Sequence, residues 1–432
     1  MTGTKKALLI TYYWPPSGGS GVQRWLYFAK FLPEFGIEPT VITVDPEKGS
    51  YAVFDESLIE EVKHIRAFRT DTRELIKWYS LLKSGNKQKQ IPQGSVGGKK
   101  PGLLDRVAAY VRGNFFIPDA RIGWNTFAIQ KAAELLKSES FDLIITTGPP
   151  HSTHLIGLEL KKRFGVKWLA DFRDPWSEVF YNEVFNRTAR SDRKDREFEQ
   201  KVLESADQIL TVGPSMQSLL QKKLPGKEEK VQFVFSGFDP EKLKRATIEK
   251  QEAFTIAYVG TMGTAYPYQT VQNALKILGS TENCKPTEFI LAGKIDPHVF
   301  ASLKTVENEN IRVHHKGQLD HEQALSLMKS ADVLLLCLPF NELSTIFVSG
   351  KLLEYIGSGT PIAAIIDSQS DAAVLIREQQ AGQIFGQNEE SKLSTYLANL
   401  MLNPPTKSER FIEKYQRTET SKQVAEIIQE HF

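Results

Sequence analysis

A lysine and a glutamate three positions apart, Lys351 and Glu354, lie between two apolar runs of strand length. The runs cover 331–338 and 361–366, and the apolar spacing between them predicts a short buried helix over 351–357. In a strand, loop, helix, strand order, the helix begins beside the carboxyl ends of parallel strands. The unpaired N–H groups and the dipole of a helix start favour an anion, so phosphate is the expected ligand.

The predicted phosphate site is the start of this helix, at Ser349, Gly350 and Lys351. A cation in the first turn is unfavourable for the helix alone, which favours a lysine placed to meet the same anion. Glu354, one turn further on, is placed to accept hydrogen bonds from ribose hydroxyls. A solvated ion pair between Lys351 and Glu354 would explain both residues without a ligand, and the spacing alone leaves that alternative open.

A glycine-rich loop follows the first apolar run of the chain and contains Gly18, Gly19 and Gly21. Glycines let a backbone approach a ligand closely, so the loop is a candidate contact for a phosphate or a sugar hydroxyl, although a flexible connection without function remains an alternative. Arg24 occupies the third glycine position of a dinucleotide fingerprint. Asp45 nevertheless ends the next strand, where a ribose-binding acid would stand. A nicotinamide-dependent Rossmann enzyme therefore stays an alternative hypothesis.

Polar residues also follow two predicted strands in the amino-terminal half. His151 comes between a strand at 141–146 and a helix at 153–163, and Arg173 and Asp174 follow the next strand. Carboxyl ends of parallel strands meet at one sheet edge, so these residues are candidates for one site. A packing or surface role for His151 is the alternative that its position leaves open.

Length and composition exclude several classes of protein. A chain of 432 residues has the length of two α/β domains, and its net charge of +2 argues against a nucleic-acid binder. Its two cysteines provide neither a disulfide framework nor a metal cluster. No apolar run is long enough to span a membrane, and the first residues do not form a secretory signal. We therefore expect a cytoplasmic protein, with contact at the inner face of the membrane as a further hypothesis.

That membrane hypothesis rests on residues 73–121, where ten basic residues are interleaved with aromatic ones. Such a composition suits an anionic membrane surface or a lipid-diphosphate acceptor. A solvated loop between two ordinary amphipathic helices is the alternative.

Several phrases together resemble glycosyltransferase family 4, which has the GT-B fold. They are KLLEYIGSGTP at 351–361, PPHSTHL at 149–155, DFRDPW at 171–176 and FIPDARIGW at 116–124. The resemblance implies an α/β protein with two Rossmann-like domains facing an interdomain cleft. We expect an acceptor-side domain at 1–213, a nucleotide-sugar-binding domain at 214–409, and a carboxyl-terminal helix at 410–432 that packs back on the first domain.

The resemblance further implies a retaining glycosyltransferase of the hexosyltransferase type. It would move a sugar from a nucleoside-diphosphate sugar to a glycan or lipid-linked oligosaccharide, in cell-surface polysaccharide biosynthesis, with no metal ion or other cofactor. The implied acceptor-side or transition-state groups are His151, Arg173 and Asp174. The candidate donor-binding residues are Gly18, Gly19, Gly21, Gly260, Lys294, Ser349, Gly350, Lys351 and Glu354.

Two departures from the family pattern qualify this expectation. The family carries a second glutamate eight positions before Glu354, where this chain has Ile346. The arginine and lysine that usually follow the strand before Gly260 are also missing, and Lys294 is the nearest replacement for their charge. A non-catalytic protein that binds sugar nucleotides or glycans is therefore the main alternative.

Overall fold

The computed structural model describes residues 3–74, 103–178, 187–248, 252–282, 284–341, 343–346, 348, 350–405 and 412–432. Contacts divide the chain into two compact units. Of the described residues, those up to Ser236 and Arg417–Phe432 form the first unit, and those within Gly237–Gln416 form the second.

The first unit is built on a seven-stranded parallel sheet within the described residues. Its strands are β1 (Lys5–Ile10), β2 (Ile37–Val44), β3 (Arg66–Thr70), β4 (Leu143–Gly148), β5 (Lys167–Phe172), β6 (Gln208–Thr211) and β7 (Val231–Phe233). Its helices before the second unit are α1 (Ser20–Phe31), α2 (Ser57–Glu61), α3 (Leu103–Phe115), α4 (Asn125–Ser138), α5 (Ser152–Phe164), α6 (Ala189–Ser205) and α7 (Pro214–Gln221). The strand order is β3-β2-β1-β4-β5-β6-β7.

The second unit repeats this plan with six parallel strands. They are β8 (Phe254–Val259), β9 (Thr287–Ala292), β10 (Ile311–His315), β11 (Val333–Cys337), β12 (Ile362–Ile365) and β13 (Gly382–Phe385). The helices are α8 (Pro240–Arg245), α9 (Tyr268–Gly279), α10 (Pro297–Lys304), α11 (His321–Ser330), α12 (Gly350–Ser358), α13 (Asp371–Glu378) and α14 (Glu390–Leu402). The strand order is β10-β9-β8-β11-β12-β13.

The central strands of both parallel sheets are continuous apolar runs. Strands covered by helices on both faces carry apolar side chains on both faces, as in the fully buried sequence VLLLC of β11. Local caps then set the helix starts: Asp320 accepts the backbone N–H of Gln323, whose side chain reaches back to Asp320 in a capping box at α11. Gly165, with φ of 64°, ends α5 in the left-handed conformation.

The last helix, α15 (Arg417–His431), belongs to the first unit and packs on α1. Val424 and Ile428 of α15 are buried in the same apolar core as Leu26 of α1. The family resemblance predicts 214–236 in the second domain, but these residues form α7 and β7, and β7 pairs with β6 of the first sheet. The first domain therefore extends beyond 213 because one more strand completes its sheet.

In both sheets the strand order reverses direction at one place, between β1 and β4 in the first and between β8 and β11 in the second. The crevice at such a switch point is where open α/β sheets bind ligands. No helix among the described residues is long and apolar enough to cross a lipid bilayer.

Candidate functional site

In the second unit, Lys351 and Gly260 come together at the switch point. Lys351 stands in the first turn of α12, and its Nζ lies 4.1 Å from the centroid of the Tyr258 ring at the end of β8. Gly260 follows that strand with φ of 135°, and a Cβ at this position would lie 2.8 Å from Lys351 Nζ. The positive φ favours glycine at this position, and the Lys351 amine lies against its open side.

Within the described residues, the Lys351 amine is a cation without a carboxylate partner. Burial lowers its pKa to about 8, and only the nearby Cys337 opposes this shift. Among the described residues no acidic side chain forms an ion pair with Lys351, so the predicted pair with Glu354 is not formed. The solvated ion pair proposed as the ligand-free explanation of these two residues is therefore wrong, because Glu354 has another partner.

That partner is His321, the first residue of α11. Nε2 of His321 donates a hydrogen bond of 2.8 Å to Oε1 of Glu354, and Glu354 is only 7% exposed. The other ring nitrogen, Nδ1, is buried and has no hydrogen-bond partner among the described residues. Glu354, a predicted donor-site residue, is thus held by His321, which the sequence patterns do not indicate.

The remaining predicted donor residues surround these groups unevenly. Gly350 begins α12, and a Cβ there would contact nothing within 4 Å. Ser349 lies outside the described residues. Ile346, at the position of the family's first glutamate, is buried, so its side chain contributes no polar group there.

Lys294 lies in the turn after β9, beside the turn that follows Gly260. Its carbonyl oxygen accepts a hydrogen bond of 3.0 Å from the N–H of Met262, and desolvation lowers the pKa of its amine. Gly293, with φ of 110°, lies so close to Gly260 that a Cβ would be 2.3 Å from the Gly260 carbonyl oxygen. The two glycines thus allow both turns to meet at one edge of the sheet.

In the first unit, Arg173 joins the glycine-rich loop to the end of β4. Its guanidinium donates to the Gly148 carbonyl at 3.2 Å and to the carbonyls of Gly21 and Pro149. Burial raises the pKa of the adjacent Asp174, and the charge of Arg173 opposes that shift. Arg173 therefore orders the loop and places one positive charge beside Asp174.

The three loop glycines have different surroundings. The N–H of Gly18 donates to the Val53 carbonyl at 2.9 Å, and a Cβ there would lie 3.0 Å from two side chains of the following segment. Gly19, with φ of 82°, has open space around its Cβ position, whereas Gly21 packs on Tyr13. Close packing alone accounts for Gly18, while Gly19 is the most open of the three.

His151 lies at the carboxyl end of β4, as predicted from the strand pattern. Its ring stacks on Trp176 with centroids 5.0 Å apart, and its Nε2 donates to the Pro175 carbonyl at 3.2 Å. Nδ1 is buried without a partner among the described residues. Burial lowers the pKa of His151 to about 3, so the imidazole is neutral at physiological pH.

His154 occupies the next turn and is fully buried. Its Nδ1 lies 2.9 Å from Thr146 Oγ1, and its ring stacks on Phe172 with centroids 4.4 Å apart. Burial lowers its pKa well below the ordinary value. This environment is that of a core histidine.

A buried ion pair at the same edge was not foreseen. Arg24 Nε lies 3.0 Å from Asp171 Oδ1, and Oδ2 of Asp171 accepts from Trp25 Nε1 and Thr147 Oγ1. Arg24 also donates to two backbone carbonyls, so its charge is used within the fold. The third glycine position of a dinucleotide fingerprint therefore carries a structural arginine.

Asp45, the residue behind the nicotinamide hypothesis, takes part in a turn. Its Oδ1 accepts the N–H of Glu47 at 3.0 Å. No local pattern pairs Arg24 with Asp171 or His321 with Glu354, because the partners are 147 and 33 positions apart. The capping box at Asp320 marks the start of α11, so it fixes the place of His321 along its own helix but not its partner.

Side chains that could bind a metal ion do not cluster within the described residues. No group of three histidine, cysteine, aspartate or glutamate side chains is arranged there to hold an ion.

Comparison with protein families gives one match. Residues 95–242 match the model of Glycosyltransferase Family 4. A comparison with curated proteins finds no matching sequence. The resemblance to family 4 drawn from the sequence phrases is confirmed over this matched segment.

Solved structures resemble the whole chain. WaaG, a glycosyltransferase involved in lipopolysaccharide biosynthesis, is 14% identical with a TM-score of 0.54, covering 98% of this chain and 99% of its own. UDP-GlcNAc 2-epimerase from Neisseria meningitidis, bound to UDP-GlcNAc, is 13% identical with a TM-score of 0.54, covering 98% and 100%. The catalytic domain of starch synthase IV from Arabidopsis thaliana, bound to ADP and acarbose, is 12% identical with a TM-score of 0.54, covering 99% and 98%. The predicted α/β GT-B fold, with two Rossmann-like parallel sheets, is thereby confirmed.

Proposed function

We propose that this protein is a retaining glycosyltransferase of the hexosyltransferase type that uses a nucleoside-diphosphate sugar. The observation that carries this proposal is the Lys351 amine, which is partly buried at a helix start and has no carboxylate partner among the described residues. Burying a cation without a counter-charge is costly, so an anionic ligand is the natural complement. A diphosphate brings that negative charge to the site.

The surrounding backbone favours the same ligand. Lys351 lies in the first turn of α12, whose dipole and N–H groups attract an anion, and it stands at the switch point of the second sheet. Departure of a nucleoside diphosphate builds up negative charge on its oxygens. Fixed donors that meet this charge stabilise the transition state, and Lys294 lies in the neighbouring turn as a second cation.

The solved relatives support a nucleotide sugar as the co-substrate. Neisseria UDP-GlcNAc 2-epimerase is bound to UDP-GlcNAc and starch synthase IV to ADP. The epimerase also indicates that the fold serves more than one chemistry, so the transfer reaction itself rests on the family 4 match. Glu354 is assigned to the ribose, next to the diphosphate.

On the acceptor side we assign His151, Arg173 and Asp174. His151 is neutral and its Nε2 is held by the Pro175 carbonyl, so we place its uncharged ring beside the reacting sugar. Arg173 is committed to three carbonyls and acts by ordering the loop that contains Gly21. The proposed acceptor is a glycan or lipid-linked oligosaccharide of a cell-surface polysaccharide pathway.

No divalent cation is required in this proposal, because Lys351 and the start of α12 carry the charge-stabilising role. We expect transfer activity to be the same in untreated protein and in protein treated with EDTA. Loss of activity that Mg²⁺ or Mn²⁺ restores would assign the diphosphate to a metal.

We further propose that the protein is cytoplasmic and contacts the membrane surface through residues 73–121. Residues 75–102 lie outside the described part. Within α3, Tyr110 is 45% exposed and Phe115 is 74% exposed, as an interfacial helix would require. Co-sedimentation with anionic liposomes at low salt, compared between wild type and Phe115→Ser, tests this contact.

The central experiment is binding of UDP-, GDP-, ADP- and dTDP-sugars beside NADH, measured by thermal shift. A ligand at 100 times its dissociation constant adds about 2.7 kcal/mol to the folded state. We expect one sugar nucleotide to raise the transition of wild type but not of Glu354→Ala. A response to NADH alone would favour the nicotinamide hypothesis linked to Asp45.

A non-catalytic binding protein is the second candidate, favoured by buried Ile346 at the family's first glutamate position. The discriminating measurement is slow hydrolysis or transfer of the bound sugar nucleotide, followed by NMR of the released sugar. Product with the configuration of the donor supports a retaining transferase. Binding with no turnover under any acceptor would establish the second candidate.

A further inference from the structure

We propose that His321 is a positioning residue that orients the Glu354 carboxylate toward the ribose of the nucleotide sugar. This inference rests on the proposed function and deepens it, because it assigns recognition of the ribose hydroxyls to a histidine and glutamate pair. His321 lies on α11 and Glu354 on α12, so each residue is fixed by a different helix. Their bond therefore connects two separately positioned elements.

The direction of the hydrogen bond follows from the groups involved. An ionised carboxylate only accepts, so Nε2 of His321 carries the hydrogen and donates to Oε1 at 2.8 Å. A bond to a charged acceptor is stronger than one between neutral groups. With both side chains largely removed from water, this bond fixes the carboxylate orientation before any ligand arrives.

The second ring nitrogen argues against a purely structural role. Nδ1 of His321 is buried and has no partner among the described residues. A buried polar atom without a partner costs stability, whereas an apolar side chain at the same helix position would not leave one. A histidine at this position is therefore better explained by what it does for Glu354 than by packing.

The position of His321 agrees with recognition of the ribose. The capping box at Asp320 makes His321 the first residue of α11, and α11 packs beside α12, whose first turn holds Lys351. Glu354 lies three positions after Lys351 on α12, so the two side chains are neighbours on one helix face, in the order in which a nucleotide presents phosphate and ribose. An oriented carboxylate accepts from ribose hydroxyls without paying the entropy of ordering on binding.

Three substitutions separate the hydrogen bond from the shape of the ring. His321→Phe keeps the ring shape and removes the donor, whereas His321→Gln places an amide N–H near the position of Nε2. His298→Phe is the matched control, since His298 also lies in the first turn of an aspartate-capped helix in the same unit but is exposed. The probes are UDP, ADP and GDP, each beside its 2′,3′-dideoxy counterpart, measured by titration calorimetry.

We expect His321→Phe to weaken binding of the preferred ribonucleotide about tenfold, the effect of losing one hydrogen bond to a charged group. His321→Gln should recover most of that affinity, and His298→Phe should bind like wild type. The preference of wild type for ribose over dideoxyribose should shrink in His321→Phe. In a Glu354→Gln background, the same substitution should change affinity by less than about twofold, since its effect acts through the carboxylate.

The possible outcomes separate this inference from the proposed function. If no nucleotide binds wild type, both the proposed function and the role of His321 are wrong. If wild type binds and His321→Phe binds equally well, only the positioning role is wrong. Equal weakening of ribose and dideoxyribose forms, with a lowered thermal midpoint, would assign His321 a structural role instead.

Discussion

The switch points of the two sheets carry charge in opposite ways. In the first unit the buried cation Arg24 is paired with Asp171 and two carbonyls. In the second unit Lys351 has the face of Tyr258 but no carboxylate within the described residues. The charge at the first edge stabilises the fold, whereas the charge at the second edge can pair with an anionic ligand.

This difference separates stability from binding. A fully paired buried charge holds elements together, and removing one partner exposes the other to an apolar environment. An unpaired buried charge does the reverse, since its removal relieves the fold while it deprives the ligand of a counter-ion. Substitutions at the two edges should therefore affect different measurements.

The largest effect is expected for Arg24→Met, which leaves Asp171 charged and buried. The loss of one member of a buried pair should lower the free energy of unfolding by about 3–5 kcal/mol. All six tryptophans lie at or before Trp176, so urea denaturation followed by tryptophan fluorescence reports on the first unit.

The matched control is Arg66→Met, which breaks the exposed pair with Glu139. That change should cost less than about 1 kcal/mol because water screens exposed pairs. Equal losses in the two variants would remove the contrast between the paired edge and an ordinary surface bond.

Lys351→Met should affect binding and leave folding intact. We expect sugar-nucleotide affinity to fall about 10- to 100-fold, the effect of losing one charge-assisted contact to a phosphate. The unfolding transition should stay in place or rise, because an unpaired cation is replaced by an apolar chain of similar length. Calorimetric titration measures the first and thermal denaturation the second.

Lys276→Met, an exposed lysine on α9, is the control for a general change of surface charge. Its donor affinity should equal that of wild type. A Lys351→Met protein with unchanged affinity would remove Lys351 from the donor site.

Acid should destabilise the first unit through His151. Its folded pKa of about 3 lies below its ordinary value of 6.5, so the unfolded chain binds the proton first. The stability that the neutral ring contributes is present above pH 6.5 and is lost as the pH falls toward 3, at up to about 1.4 kcal/mol per pH unit.

His151→Phe cannot take up this proton and should flatten the dependence. Urea denaturation by tryptophan fluorescence from neutral to acidic pH provides the comparison. Parallel curves for wild type and variant would show that His151 protonates as readily in the folded state as in the unfolded one.

Much of the fold was predictable because buried parallel strands appear in the sequence as continuous apolar runs. The apolar run at 331–338 contains β11, and the helix predicted over 153–163 is α5 extended by one residue at each end. The positions of Lys351 and His151 at strand ends followed from the same patterns. What local patterns predict is where a residue lies along its own element.

Partners from distant elements were not predictable in this way. Glu354 was foreseen as a polar group near a ligand, but its bond to His321 depends on how α11 packs beside α12. Arg24 was read as a missing glycine, whereas the packing of α1 against β5 makes it a buried partner of Asp171. The assignment of charge to fold or ligand therefore needs tertiary structure, and local sequence does not contain it.

The smallest effect expected concerns the pH dependence of donor binding, and it tests the unpaired state of Lys351 most directly. A ligand diphosphate favours the charged amine, so the pKa of Lys351 in the complex lies above the value of about 8 in the ligand-free protein. The contribution of Lys351 to affinity is therefore complete below pH 8 and declines as the pH rises toward the pKa of the complex. Between pH 7 and pH 9 we expect affinity for an ADP- or UDP-sugar to fall about 5- to 10-fold.

The control is Lys351→Arg, whose side chain keeps its charge throughout this range. The affinity of this variant should be nearly constant, whatever its absolute value. A wild-type affinity that is independent of pH would mean that ligand binding does not change the pKa of Lys351, because a counter-charge already pairs with the amine in the ligand-free protein. The contrast between the two switch points would then disappear.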